Sequence, residues 1–298
     1  MSAHSTLATT APDSIESIAY LIKILEKHVP VYFLLVARIF GMMLQAPFFS
    51  GKSLPTQARA AFMVGLSIMY MITVQPTATI PGNIFFYTIM MVEEALIGML
   101  FGFCAYIISA SIQAAGEIID VQMGMSMVTL FNPMTKSQSS AMGRLFFQIE
   151  LTVFIILNAH LYLLAAFFKS FDLIPIGSFY FASPAILKQF TEIAGQMFQI
   201  SIQLAMPILL TLFIIDFSLG ITNKVSPQIN VLELNFAMKP TTGMILLLII
   251  MSSFVGVLDE YSEKMVKDAS KMMKVMSVQR PKPPDKNVFK KIKKVNIK

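Results

Sequence analysis

The sequence predicts an all-α integral membrane protein, and its composition carries that prediction. Of its 298 residues, 55% are apolar and only 13% are charged, whereas soluble domains usually carry about 25% charged residues. The mean hydropathy is +0.68. No polar stretch reaches about 100 residues, a typical size for a soluble domain. We therefore expect membrane-embedded helices and no soluble domain.

Six apolar runs supply the elements of this fold. In chain order they cover residues 29–49, 60–75, 84–114, 144–169, 194–221 and 242–258. A bilayer core of about 30 Å takes roughly 20 helical residues. The second and sixth runs are short for that thickness and the third is long, so the lengths do not describe six regular spans. Loops rich in proline and glycine separate the runs.

The two ends of the chain differ from the middle. Residues 1–28 read as a polar lead followed by a short amphipathic helix, and residues 29–258 as the membrane domain. Residues 259–298 read as an amphipathic helix and a basic tail, because residues 261–298 hold 12 basic and 3 acidic side chains. Such a tail tends to stay cytoplasmic and can touch anionic membrane lipid. The apolar stripe at its start, which could lie on the membrane or on a partner, consists of Tyr261, Met265, Ala269, Met272 and Met276.

Several charged or polar side chains interrupt the apolar regions. They are Arg38, Glu93, Glu94, Glu117, Asp120, Gln122, Glu150, His160 and Asp216. A carboxylate at the centre of a lipid-facing helix costs roughly 2.5–3.5 kcal/mol. We therefore expect these groups to face protein, a watery cavity or an interface. The residues leave open whether each has a structural partner or lies on a functional pathway.

Small residues line one face of the third apolar run. Gly98 and Gly102 form a GxxxG pattern, and Ala105, Ser109 and Gly116 continue the same face. Small residues let helix backbones approach closely in membranes. The stripe therefore predicts tight helix packing.

The sequence carries none of the common catalytic or metal-binding motifs. It lacks HExxH, GxSxG and the glycine-rich phosphate-binding patterns. Its three histidines and Cys104 have no ligand-like spacing. We expect no catalytic residues, no metal and no cofactor. Buried acids and broken helices would also suit a stand-alone membrane transporter. A transporter is therefore the alternative function from a different class of protein.

The stretch AGEIIDVQMGMSMVTLFNP, residues 115–133, resembles the signature segment of the FliR/SctT family. These are membrane proteins of the flagellar and type III secretion export apparatus. Further matches follow in order along residues 30–258, in ARIFGMMLQAPFFSGKSLPTQARAAF, EEALIGMLFGF, LNAHLYLLAAFFKSFDLIPIGS and AMPILLTLFIIDFSLGITNKVSPQINVLELNF. The segment FDLIPIGS favours the flagellar branch, with the virulence-secretion branch as the alternative.

The resemblance implies a place and a set of partners. A member of the family assembles with FliP-like and FliQ-like subunits in the bacterial inner membrane, at the flagellar basal body. It works with FlhB-like and FlhA-like components and passes unfolded export substrates. The resemblance implies no enzymatic activity and no nucleic-acid partner. On this view, Glu93, Glu94, Glu117 and Asp120 pair with groups on the neighbouring subunits, so that Glu94→Ala lowers recovery of the complex.

The resemblance also implies that the loop after the long helix plugs the channel. The residues concerned are Gly116, Met123, Gly124, Met125, Met127, Phe131, Asn132 and Pro133. Methionine side chains are flexible and can conform to changing surfaces, and glycines give the backbone freedom. The alternative is that the methionines fill gaps in a static core.

Overall fold

The computed structural model describes residues 11–50, 55–74, 80–126, 140–177, 184–228 and 230–278. Within these residues the chain is helical and contains no strand, which confirms the all-α expectation. The helices are α1 (Ala11–Gln45), α2 (Pro47–Ser50), α3 (Thr56–Val74), α4 (Ile84–Gln122), α5 (Ala141–Ile156), α6 (Ala159–Leu173), α7 (Pro184–Val225) and α8 (Val231–Val278).

Helix α4 is the centre of the fold, and α1, α5, α7 and α8 pack on it. Its 39 residues make it about 58 Å long. The helix begins after Asn83, whose side chain accepts a hydrogen bond from the backbone N–H of Phe85 at 2.9 Å. This N-cap satisfies one of the free donors of the first turn. Because α4 packs against several other helices, its side chains hold most of the polar contacts described below.

Helix α1 runs parallel to α4 and lies against its first half. The hydroxyl of Tyr87 donates to the carbonyl of Pro30 at 2.9 Å, and about two turns further along both helices Arg38 meets Glu94. Helix α5 runs back along α4 in the opposite direction, since Met142 lies at Gly116 and Glu150 at Ser109, and α6 follows α5. They meet at an angle of 74°, at Asn158, which has a φ of 56°. Asparagine is one of the few residues that adopt this left-handed conformation readily, so it suits the corner.

Helices α7 and α8 form a long antiparallel hairpin. Lys239 near the start of α8 pairs with Asp216 near the end of α7, and Lys271 near the end of α8 lies 3.8 Å from Glu192 near the start of α7. The two helices hold 42 and 48 residues. The sequence analysis ended the membrane domain at residue 258, but in the structure α8 continues through that position. Likewise α1 continues through residue 28, where the membrane domain was predicted to begin.

Five of the helices are long and apolar enough to cross a membrane, and the bent pair α5–α6 would make a sixth crossing. This count confirms the expectation of about six apolar segments. The candidate spans differ greatly in how far the chain itself covers them. In α4, 61% of the apolar window is buried, whereas in the first part of α8 only 11% is buried. The outer helices therefore present open apolar faces.

The apolar stripe of α8 belongs to the core of this chain. Met265, Ala269 and Met272 are fully buried, and Met276 is nearly so. Helix α8 packs there against α4, α6 and α7. The expectation that this stripe lies on the membrane surface or on a partner was therefore wrong. Apolar periodicity shows that one face of a helix is covered, but it does not show whether lipid, another subunit or the same chain covers it.

Candidate functional site: polar clusters along the central helix

A buried ion pair joins α1 to α4. The Nε of Arg38 donates to Oε2 of Glu94 at 2.5 Å, and both side chains are almost inaccessible to solvent. Nη1 of Arg38 donates to the carbonyl of Ile174 at 2.8 Å. The backbone N–H of Gly177 donates to Oε1 of Glu94, also at 2.8 Å. The guanidinium carbon lies 4.4 Å from the centre of the Phe171 ring.

These contacts correct the hypothesis that Glu94 pairs with a neighbouring subunit. Both of its carboxylate oxygens are used inside the chain. A buried ion pair is tolerated when additional hydrogen bonds satisfy the charged groups, and here the backbone on both sides of Pro175 provides them. The pair therefore ties α1, α4 and the turn after α6 into one unit.

Two further carboxylates, one on α5 and one on α4, bond to the second half of α4. The hydroxyl of Ser109 donates to Oε1 of Glu150 on α5 at 2.9 Å. The Oε2 atom of Glu150 is buried and has no partner among the described residues. Gln113 donates through Nε2 to Glu117 at 2.9 Å, one turn away on α4. The structure thus gives Glu117 an amide partner on its own helix, where the sequence suggested one on another subunit.

Asp120 holds both flanks of the segment 127–139, which lies outside the described residues. Its Oδ2 accepts a hydrogen bond from the hydroxyl of Ser126 at 2.7 Å. Its Oδ1 accepts from the backbone N–H of Met142 at 3.2 Å. Met142 is in the first turn of α5, where a negative charge is favoured by the helix dipole. Asp120 is therefore a clamp within this chain, and its predicted pairing with another subunit is not what this geometry shows.

A third polar cluster lies at the end of α4. Gln122 donates through Nε2 to Oδ2 of Asp216 on α7 at 3.1 Å. Lys239 on α8 lies 2.5 Å from Oδ1 of the same carboxylate. The side chains of Lys239 and Asp216 are 17% and 33% exposed. Asp216 therefore joins the ends of three helices.

The start of the predicted plug is the end of α4. Met123 is buried and packs against Gly243 of α8, where an added Cβ would lie 2.7 Å from the methionine Cε. Gly124 has a φ of 76°. Its backbone N–H donates to the backbone carbonyl of Val121, and the backbone N–H of Met125 donates to the backbone carbonyl of Asp120. This pair of bonds is the Schellman arrangement that ends a helix, so Gly124 is a helix cap here.

The other predicted plug residues fall in two groups. Gly116 lies inside α4, where an added Cβ would come 2.6 Å from the carbonyl oxygen of Met142 on α5. It is a close-packing position, and the loop freedom expected of it from the sequence was wrong. Met127, Phe131, Asn132 and Pro133 lie outside the described residues.

The small residues of α4 contact two different helices. A Cβ on Gly98 would overlap the carbonyl oxygen of Arg38, and one on Gly102 would lie 2.5 Å from that of Met42. Both glycines therefore face α1. Ala105 is buried, and Ser109 reaches α5. Gly41 of α1 lies equally close to α4; the sequence reading missed its packing role, although a glycine in an apolar helix was the available signal.

Glu93 and His160 are less embedded than the other polar residues. Glu93 is partly exposed and forms no ion pair within the described part of the chain. His160 is partly exposed, and its ring centroid lies 5.8 Å from that of Phe48. Its Nδ1 is buried without a hydrogen-bond partner among the described residues. Of the four carboxylates assigned to subunit contacts, Glu93 is the one without a hydrogen-bond partner in this chain's described residues.

Asp268 is a charged residue close to the buried side of α8. Burial raises the pKa of its carboxyl group, and Glu192 acts in the same direction. Lys264 and Lys271 lower that pKa but do not outweigh burial. Its Oδ2 is buried without a hydrogen-bond partner in the described residues. This region follows the apolar window of α8, which ends at Met251.

Lys239 is the main polar residue that sequence reasoning missed. It precedes the sixth apolar run, which begins at residue 242, and so was not counted among the polar residues that interrupt the apolar regions. The available signal was a single lysine opposite a single aspartate in the two arms of a hairpin. The half-buried ion pair shows why each is present in an otherwise apolar region.

The fold and its polar clusters define an integral membrane protein of helical hairpins, with ion pairs between helices and open apolar outer faces. The chain belongs to the family described as Bacterial export proteins, family 1, whose sequence profile matches residues 29–265. This confirms the FliR/SctT family expected from the sequence. The chain is therefore a type III export component and an inner-membrane protein.

Individual relatives agree with the family profile. The chain is 29% identical over 227 residues to the flagellar biosynthetic protein FliR of Bacillus subtilis, covering 75% of this chain and 86% of the relative. It is 28% identical over 224 residues to the FliR of Escherichia coli, covering 74% and 84%. It is 33% identical over 193 residues to the Yop proteins translocation protein T of Yersinia pestis, covering 63% and 69%.

Proposed function

We propose that this chain is a structural and gating subunit of the flagellar type III export gate. In this role it forms, with FliP-like and FliQ-like subunits, the channel through which unfolded export substrates cross the inner membrane. FlhB-like and FlhA-like components act beside it at the basal body, and its basic tail lies in the cytoplasm. The chain itself performs no catalysis in this proposal.

The observation that carries the proposal is the length of the apolar face on α7. Exposed apolar side chains follow this helix from Phe198 to its end: Phe198, Ile202, Met206, Leu210, Phe213, Ile214, Phe217, Ile221 and Val225. The distance from the first to the last is about 40 Å at 1.5 Å per residue. The hydrocarbon core is only about 30 Å thick.

Tilting only just accommodates this length. A face of about 40 Å would need a tilt of about 42° to fit within the hydrocarbon, at the upper end of the roughly 0–40° that spanning helices show. Cover by protein at one end of the face removes the need for so steep a tilt. The neighbouring α8 leaves most of its first apolar window open as well. Apolar helices of other subunits are the partners that such faces fit.

The gating part of the proposal concerns the segment after α4. Met123 and Met125 begin it, and Met127, Phe131, Asn132 and Pro133 continue it outside the described residues. We propose that these side chains seal the closed channel against ions and yield to a passing polypeptide. The Asp120 clamp supports this proposal, because it fixes both flanks of the segment at one place on α4.

Native mass spectrometry of the gently extracted, tagged full chain tests the assembly. We expect one large complex that contains the FliP-like and FliQ-like proteins of the same cells. A stable monomer of 33.1 kDa or a simple homodimer, with those proteins present, would contradict the proposal and favour a transporter. Loss of the gene separates the three candidate functions. It should abolish flagellar filaments if the chain is a flagellar export subunit, effector secretion if it is a virulence-secretion subunit, and solute uptake if it is a transporter.

A deletion tests the plug. Removing residues 127–131 leaves Met123, the Gly124 cap and the Asp120 clamp in place. We expect the assembled complex to leak ions, measured as loss of membrane potential in cells. An assembled mutant complex with unchanged ion permeability would refute the plug. A second variant replaces the same five residues by glycine and serine, which keeps the segment's length but removes its apolar side chains. It should leak as well, which would show that the side chains and not the length of the segment make the seal.

A further inference from the structure

The cluster of Gln122, Asp216 and Lys239 lies where the α7–α8 hairpin meets the end of α4. Asp216 receives Gln122 through one carboxylate oxygen and Lys239 through the other. Its surroundings are apolar, since Phe213 and Phe217 flank it on α7 and are mostly exposed. Charges attract more strongly where lipid or apolar protein replaces water. The three-way contact is therefore a strong local link between helices.

Little else holds the far end of this hairpin. Among the described residues of 217–239, Leu219 alone is buried. Beside the cluster, Met123 of α4 packs against Gly243 of α8. The polar cluster and this methionine contact thus hold the hairpin end against the end of α4. That methionine also begins the segment that we propose as the plug.

The backbone of α8 is weakened at the same place. Pro240 follows Lys239 directly and lies inside the helix. Proline has no N–H, so the helical hydrogen bond to the carbonyl four residues earlier is missing. The hydroxyl of Thr241 donates to the carbonyl of Ala237 at 2.7 Å, and such back-bonding often accompanies a helix bend. The helix can therefore bend most easily beside the ion pair.

We propose that Gln122, Asp216 and Lys239 form a polar latch that holds the α7–α8 hairpin on α4 and keeps the gate closed. This inference rests on the proposed export function. When the latch opens, α8 bends at Pro240 and the hairpin end leaves Met123. Met123, which is buried in the closed arrangement, then loses its cover. The three residues act as positioning residues for Met123.

The test has two readouts, the first of which does not depend on the proposed function. Hydrogen exchange of the detergent-solubilised full chain is followed by mass spectrometry for residues 230–243. Asp216→Asn and Lys239→Gln should each speed exchange there about tenfold, which corresponds to about 1.4 kcal/mol. The second readout is ion permeability of cells carrying the assembled complex, which should rise about tenfold with either variant.

Two further variants make the result specific. Lys267→Gln breaks an exposed ion pair with Glu263 on the same helix and should change neither readout. The charge swap Asp216→Lys with Lys239→Asp should restore both readouts toward the original values. Unchanged hydrogen exchange in both single variants would overturn the latch. A charge-swap variant whose exchange is as fast as that of the single variants would overturn it too. If the single variants speed exchange and the swap slows it again, but no export complex is found, the latch stands and only the export function is refuted.

If Asp216→Asn prevents assembly, the swap still decides the matter. Recovery of the complex by the swap supports the latch, because the pairing and not either residue type is then what counts. If neither variant assembles, hydrogen exchange of the isolated chain gives the answer by itself.

Discussion

Replacing Glu94 by glutamine keeps the shape of the side chain but leaves Arg38 buried with an uncompensated charge. Removing one partner of a buried ion pair costs about 3–5 kcal/mol. The contact with the Ile174 carbonyl and the Phe171 ring would remain, so the lower part of that range applies. A loss of this size lowers the melting temperature by on the order of 10 °C.

The single cysteine gives a direct assay. Cys104 is fully buried, so a thiol-reactive fluorescent dye labels the detergent-solubilised chain only as it unfolds. We expect Glu94→Gln to melt well below the unchanged chain. The double variant Arg38→Met with Glu94→Leu should recover most of the difference, because a well-packed apolar pair can replace a buried ion pair.

A matched control separates burial from charge. Lys267→Gln breaks a pair whose side chains are 68% and 67% exposed, and exposed pairs contribute little. Its melting temperature should hardly change. A Glu94→Gln chain that melts within about 2 °C of the original would refute the reasoning. The structure also changes why Glu94→Ala should lower recovery of a complex: the variant destabilises this chain before any partner binds.

The remaining predictions use the same dye assay. Gly98→Ala pushes a methyl group into the Arg38 carbonyl and should cost about 1–3 kcal/mol, whereas Gly65→Ala, with nothing within 4 Å, should be neutral or slightly stabilising; equal melting of the two would contradict the close packing. Gly124→Ala forces a side chain into a left-handed conformation and should cost about 1–2 kcal/mol, while an unchanged melting temperature would show that α4 does not end there as described. Burial raises the pKa of Asp268, so its ionisation opposes folding, and stability falls as pH rises from the unfolded-state pKa through the folded-state pKa. Asp268→Asn should therefore raise the melting temperature more at neutral pH than at acid pH; a gain that is the same at both would refute this cause.

The sequence predicted the class of fold because apolar periodicity is a local property. The number of apolar segments and the long central helix both followed from it. The same local pattern did not show where helices continue. Helix α8 runs through residue 258 because its apolar stripe turns to face this chain's own α4 and α7, and a change in composition does not break a helix.

Partners of the carboxylates could not be predicted in the same way. Composition shows that a buried acid needs a partner, but Arg38 and Glu94 are 56 residues apart. They meet because α1 and α4 touch through Gly41, Gly98 and Gly102, which fixes how the two helices lie. The resemblance to the export family suggested that the partners lie on other subunits. The structure instead gives Glu94 and Asp120 partners within this chain.

The ion pair of Arg38 and Glu94 also bears on the order in which the protein is made. Its last contact comes from the backbone of Gly177, so the pair is complete once the first 177 residues have left the ribosome. Until then an arginine and a glutamate sit in nascent apolar helices without all their partners. From then on, this ion pair is neutralised inside the inserted N-terminal part, while α7 and α8 still have to complete the core around α4. The buried charges of α1 and the first half of α4 can thus be paired before the last hairpin is in place.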